Sequence, residues 1–273
     1  MLIAIQNEST LVSNNEALLM CQAVQIQFNL HACPAYNVKP TTVTFYPDKT
    51  KIPGYAWVIS ILDTPDVANA LGYHNETAGR PNGFVFCAPI LNNGGGVLNG
   101  KDTTVTTVSS VLSHEALELN FDRFCSTYCD NGIVSWALEV SDPCQDLSYV
   151  INVNGTEVFV SDFVFPSFFN PQATSANEPF DYMNKLTAPF TITRGGYSIQ
   201  RKSGPGSETQ VFGENVSSWK KAAIKTNKSG RVAKRQTPRS WPTALSWIMF
   251  SVFTLSFIGL DTYLICQSFN LLH

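Results

Sequence analysis

The sequence predicts an α+β fold followed by a membrane-spanning helix. Three observations carry this: short β-rich runs bounded by Pro, Asp and Gly, two helical patterns set among them, and an uncharged stretch of twenty residues, Trp241–Leu260, near the C-terminus. With 273 residues, 44% of them hydrophobic, the chain is long enough to bury a sizeable core. Only 14% of residues are charged, and 17 Gly and 15 Pro are spread along the chain, which excludes coiled coil and charge-driven disorder. The formal net charge of −3 gives no reason to expect nucleic acid as a partner.

Taken in order, Met1–Gln6 alternates and reads as a first strand. Ser13 or Asn14 caps a helix over residues 16–29, with Leu18, Leu19, Val24 and Phe28 near helical spacing. TTVTF (41–45) and YAWVISIL (55–62) read as strands, residues 65–71 as a short helix closed at Gly72, and GFVFCAPIL (83–91) as a further strand. The NNGGG run at 92–96 lacks the Lys-Ser/Thr ending of a phosphate loop and is expected to be a flexible connection. Residues 105–121 give the best helix, carrying Val108, Val111, Leu112 and Leu119. Short strands are expected around 134–139, 149–153 and 157–160, then a loop-like 163–169 and a strand-like 190–199. No internal repeat is visible.

The modest net charge hides a split. Ten basic and twenty acidic residues precede position 220, a net −10, whereas Lys220 to Arg239 holds eight cations and no acid. Residues 201–240 therefore form a basic linker, and residues 241–266 a transmembrane anchor: twenty apolar residues in a helix span about 30 Å, the thickness of the bilayer's hydrocarbon core. Trp241, Trp247 and Tyr263 fall near its ends, where aromatic rings favour the interface. Cations on one flank only predict a single-pass C-terminal anchor with the body on the cytoplasmic side, and they also favour anionic headgroups. The first residues, MLIAIQNESTLVS, lack the basic and apolar regions of a signal peptide, so the Asn-x-Ser/Thr sequons at Asn7, Asn75, Asn154, Asn215 and Asn227 are expected to be incidental.

Chemistry concentrates in SHEALELNFD, residues 113–122. His114 and Glu118 are four apart and share one helix face, Asp122 continues that face, and Glu115 stands where helix-borne metalloprotease sites carry their general base. The pattern is HExxE rather than HExxH. A bland alternative is a solvated helix face with an ordinary histidine. Downstream, SWALEVSDPCQD supplies Glu139 and Asp142. Glu139 suits a third metal ligand and Asp142 a carboxylate orienting His114 through its other ring nitrogen. The order can also be swapped, with Asp122 or Asp142 on the metal. Three protein ligands leave the open position that a catalytic ion needs.

Beyond the motif, ALGYHNET with GRPNGFVF (70–86), SHEALELNFD, LEVSDPC (138–144), DFVFPSFF (162–169) and APFTITRGGYSI (188–199) together resemble a family of zinc-metallopeptidase-like proteins found among bacteriophage structural proteins and in bacteria and fungi. The likeness covers roughly residues 1–200. It implies a zincin-like domain over that stretch: a small mixed sheet, an active-site helix with His114, Glu115 and Glu118, and an edge strand at GFVFCAPIL where an extended peptide could add. It also implies peptide hydrolysis, with zinc held by His114, Glu118 and Glu139 and with Glu115 passing a proton to the leaving amine. Oxygen-rich ligation leaves other divalent ions open. The expected partners are a peptide or protein substrate, or other virion proteins, together with the membrane. A noncatalytic virion component keeping the metal as a structural staple is the alternative. In this chain Asp122 is followed by Arg123 where the family's helix runs into Asp-Pro, and the basic linker and anchor lie outside the likeness.

Seven cysteines are present; Cys125, Cys129 and Cys144 could form a thiolate site, but buried reduced thiols are the expected reading in a cytoplasmic body. His74, in GYHNET, is expected to bond backbone in a loop, with an extra ligand or an oxyanion donor as the functional alternative. His31 and His273 carry no pattern.

Overall fold

The structure is a computed structural model that describes residues 1–66, 70–202, 208–226 and 239–240. The account below concerns the compact unit Met1–Arg239. Strand β1 (Leu2–Asn7) leads into helix α1 (Asn14–Gln27). Ser13 caps that helix by accepting from the Glu16 amide, while Glu16 accepts from the Ser13 amide, so the S-x-x-E pattern satisfies two end donors at once. The helix runs through a π-helical turn, Phe28–Ala32, into the short α2 (Cys33–Ala35).

β2 (Thr42–Tyr46) and β3 (Trp57–Leu62) pair in parallel with β1 on its two sides. β5 (Arg80–Phe86) joins β3 in parallel, and β4 (Gly72–Thr77) closes the sheet antiparallel to β5, giving the order β2-β1-β3-β5-β4. The β4–β5 turn is tight because Ala78 and Gly79 both take positive φ, 51° and 78°, as a two-residue hairpin loop of this hand requires. Helix α3 (Cys87–Asn92) follows, so GFVFCAPIL is half strand and half helix. Its strand half lies inside the sheet. The expected peptide-accepting edge is therefore corrected: the outer strand is β4.

Helix α4 (Val108–Phe121) begins at Thr107, whose hydroxyl accepts from the Ser110 amide while Ser110 Oγ accepts from the Thr107 amide. The glycine-rich segment before it is held rather than loose. The carbonyls of Gly96 and Val97 accept from the amides of Val108 and Ser109, filling positions that a helix start leaves open. A second, antiparallel arrangement contains β11 (Thr209–Phe212), β10 (Tyr197–Lys202), β7 (Val134–Ala137) and β6 (Thr127–Asp130) as successive neighbours. β8 (Ser148–Val153) and β9 (Thr156–Ser161) form a separate hairpin, turning at Asn154 and Gly155, again with positive φ at both. Helix α5 (Ser218–Thr226) ends the described body.

The core sits where α1 and α4 pack against each other, against the first sheet and against the β8–β9 hairpin. Ile3, Ile5, Ile59, Ile61 and Val85 supply the sheet's contribution, and Val111, Leu112, Ala116 and Leu119 that of α4. All of α4 except Asn120 and Phe121 is buried, including Ser113, His114, Glu115 and Glu118. A solvated face for this helix is thereby excluded. Ser113 donates to Gln27 Oε1 of α1 at 2.7 Å and accepts from the Ser161 amide of β9 at 3.0 Å, which fixes the rotation of α4 about its axis.

The fold class predicted from the sequence is corrected. The molecule is mixed α/β with several sheets, the first of them five-stranded and mainly parallel, rather than one small sheet beside an active-site helix. The strand runs were legible, but their division among sheets depends on partners that no single run records. Among the described residues, no helix is long and apolar enough to cross a membrane. The expected anchor over 241–266, residues 203–207 and 227–238 of the expected basic linker, the core of the short helix at 65–71, Cys266 and His273 lie outside the described residues.

Candidate metal centre

His114, Glu115 and Glu118 project from the buried face of α4, Glu118 fully buried and the His114 side chain 11% exposed. His114 Nε2 lies 3.2 Å from Glu118 Oε1 and 3.2 Å from Asp142 Oδ1. The other oxygen of Glu118 lies 3.5 Å from Nδ1 of His74, whose Nε2 is 3.8 Å from Glu139 Oε2. Glu115 Oε2 is 3.6 Å from His74 Nδ1. His74, Glu118 and Glu139 form a buried group able to hold a metal ion, and His114, Glu118 and Asp142 form a second such group that shares Glu118. Four tetrahedral donors at bonds of about 2.0–2.1 Å stand about 3.3–3.4 Å apart; the His114 group matches this at a single nitrogen, whereas at His74 Glu118 meets Nδ1 and Glu139 meets Nε2.

Each side chain arrives there for a local reason. His74 comes from β4, which Gly72 allows to press against α4. A Cβ on Gly72 would meet Val111 Cγ1 at 2.8 Å, Glu115 Oε1 at 2.9 Å and the Phe84 carbonyl at 2.9 Å. Glu139 and Asp142 come from the segment after β7, and Asp142 opens a 3-10 turn, Asp142–Cys144. That segment is pinned on both sides. Val164 donates its amide to the Val140 carbonyl, and Thr193 donates both its amide and its hydroxyl to the Pro143 carbonyl.

Electrostatics follow from burial. Burial acts to lower the His114 imidazole and is outweighed by the Glu118 carboxylate and by hydrogen bonds to Asp142 and Glu118, so the ring is held well above its usual value. His74 behaves alike: burial is outweighed by Cys125 and Glu139 and by hydrogen bonds to Cys125 and Glu115. Protons on these rings occupy the place that a cation would take, so metal uptake and proton release are linked here.

Of the residues singled out in the sequence, His114, Glu115, Glu118, Glu139 and Asp142 come together. The expected triad of His114, Glu118 and Glu139 does not appear as one group: Glu139 faces His74, and Asp142 faces His114. Asp122 stands elsewhere. It caps α4 and accepts from the amides of Ser126 and Thr127 and from the Thr127 hydroxyl at 2.9–3.2 Å, so it fastens the turn into β6. His74 was expected in a backbone-bonding loop and instead lies on a strand, fully buried against the acids. The signal that could have placed it was the Gly79 turn between two short runs, which marks a hairpin. The described cysteines are free and buried, and neither metal-capable group contains one. Burial pushes the Cys129 thiol up to about 12 and the Cys87 thiol up to about 11, out of reach of thiolate chemistry at neutral pH.

Comparison with known proteins finds no matching family, no similar curated protein and no similar solved structure.

Proposed function

We propose that the chain is a metal-dependent hydrolase that cleaves a peptide bond, with a divalent ion at the His74–Glu118–Glu139 group and Glu115 as the base. The observation that carries this reading is the position of Glu115: a carboxylate on the same helix, outside both metal-capable groups yet 3.6 Å from His74. A divalent ion there would supply Lewis acidity toward a carbonyl and make water a better nucleophile. Glu115 would accept the proton from that water and return it to the leaving amine. Glu118 meets His74 at Nδ1, Glu139 lies 3.8 Å from its Nε2, and Asp142 lies 3.2 Å from His114 Nε2. Zinc is the first choice of ion. The carboxylate-rich donor set also suits manganese, iron or cobalt. The likeness of SHEALELNFD and LEVSDPC to bacteriophage zinc-metallopeptidase-like proteins supports the same chemistry.

A second reading, a noncatalytic virion component with a structural metal, is favoured by the depth of the centre: His74 and Glu118 are 0% exposed. One experiment separates the two. The full chain is loaded with zinc and incubated with a diverse peptide mixture, with cleavage followed by mass spectrometry. Hydrolysis lost in Glu115→Gln with metal content kept supports the base. Cleavage unchanged in that variant removes Glu115 from the mechanism, and a metal-loaded wild type without hydrolysis leaves the structural reading.

A further inference from the structure

Glu115, Glu118, Glu139 and Asp142 are each at most 3% exposed, and they converge on two imidazoles.

These donors divide between two positions. Glu118 does not present one oxygen to both rings: Oε1 faces His114 Nε2 at 3.2 Å and Oε2 faces His74 Nδ1 at 3.5 Å. Each ring has a further acid of its own: Asp142 at the same His114 nitrogen, Nε2, at 3.2 Å, and Glu139 at the other nitrogen of His74, Nε2, at 3.8 Å. The result is two donor triads of like composition, one nitrogen and two oxygens, with one carboxylate common to both. Such a shared carboxylate is the arrangement that two-ion hydrolytic sites use to hold their ions close together.

We infer that this is a dinuclear centre, with one divalent transition ion at His74–Glu118–Glu139, a second at His114–Glu118–Asp142, and Glu118 bridging them. The inference rests on the reading that the cluster binds metal at all, and the test separates the two. The full chain, freed of metal by chelation and dialysis, is reloaded with Mn(II), and bound metal is counted by mass spectrometry while electron paramagnetic resonance reports spin coupling. The expected result is two equivalents with an exchange-coupled signal, falling to one uncoupled equivalent in His114→Ala and likewise in His74→Ala. The wild-type spectrum needs no variant to fold. One uncoupled equivalent in the wild type overturns the dinuclear centre and leaves a mononuclear metal protein. Two uncoupled equivalents, or two that survive in Glu118→Ala, overturn the bridge. No bound metal overturns this inference and the metal-dependent function together.

Discussion

Two sets of buried carboxylates sit a short way apart in the chain and are satisfied in opposite ways. Asp162 and Asp181, both 0% exposed, are fed by backbone amides: Phe163 and Met183 donate to Asp162, and Lys185 and Leu186 donate to Asp181. Around α4, the acids are faced by imidazoles, His74 from β4 and His114 from α4 itself. Three of these four amides are local to the acid they meet, and Met183 joins Asp162 to the turn at Asp181, so they fasten loops. His74 is brought in from β4, whereas His114 stands on α4 one turn before Glu118, and both rings face carboxylate oxygens at 3.2–3.8 Å. Buried acid alone therefore says little about function. The identity of the donor that meets it separates a fastener from a ligand set.

That contrast can be broken most forcefully by removing metal. An ion present at about a thousand times its Kd contributes about 4 kcal/mol to stability. Chelation should therefore lower the melting temperature of the wild type by many degrees, read by calorimetry, and leave Glu118→Ala nearly unmoved. A wild-type melt indifferent to chelator would put the α4 acids in the same class as Asp162. Next in size is Asp122→Ala, which strips the acceptor from two amides and a hydroxyl and should cost about 3 kcal/mol in denaturant melts with metal content unchanged. Loss of metal in that variant would place Asp122 among the ligands after all.

Gly72→Ala should cost about 2 kcal/mol by overpacking β4 against α4, and it should depress peptide hydrolysis more than metal content because its Cβ meets Glu115. Equal loss of both would show that the contact matters only for packing. The smallest effect concerns the fastener. Burial first, and Asp181 second, hold the Asp162 carboxyl well above the usual range. The folded chain thus keeps a proton that the unfolded chain releases near pH 4, and stability falls as pH rises from there toward the folded value, by at most about 1.4 kcal/mol per pH unit. Asp162→Asn can still accept from Phe163 and Met183 while donating to Asp181, so its melting temperature should depend less on pH between 4 and 8 than that of metal-saturated wild type. Parallel curves would mean that the pair shares no proton.

How much of this could be read in the sequence follows from the range of each signal. The capping box at Ser13 and Glu16, the long helix and the i, i+4 pairing of His114 with Glu118 are local, and each is visible within a few residues. Glu139 and Asp142 were also singled out; Asp142 lies beside His114 as expected, whereas Glu139 faces His74 rather than His114, because nothing in LEVSDPC records which ring that acid will face. His74 was hardest to place. GYHNET has no apolar alternation, and a ligand from a neighbouring strand carries no spacing relative to the helix it meets. The same limit applied to GFVFCAPIL, whose apolar run looks alike whether it forms an edge strand, an inner strand or, in its second half, a helix.

Because the donors come from β4, from α4 and from the segment after β7, the centre exists only once three distant stretches of chain have met. Much of the sheet that positions β4 is parallel, a topology whose long loop closures make for slow folding. If the proposed ion binds, its capture would be a late event: the unfolded chain offers single ligands but no pocket, so added ion should leave the refolding rate unchanged and act almost wholly by slowing unfolding. The centre would in that way confer kinetic persistence on the folded chain, whatever chemistry it performs.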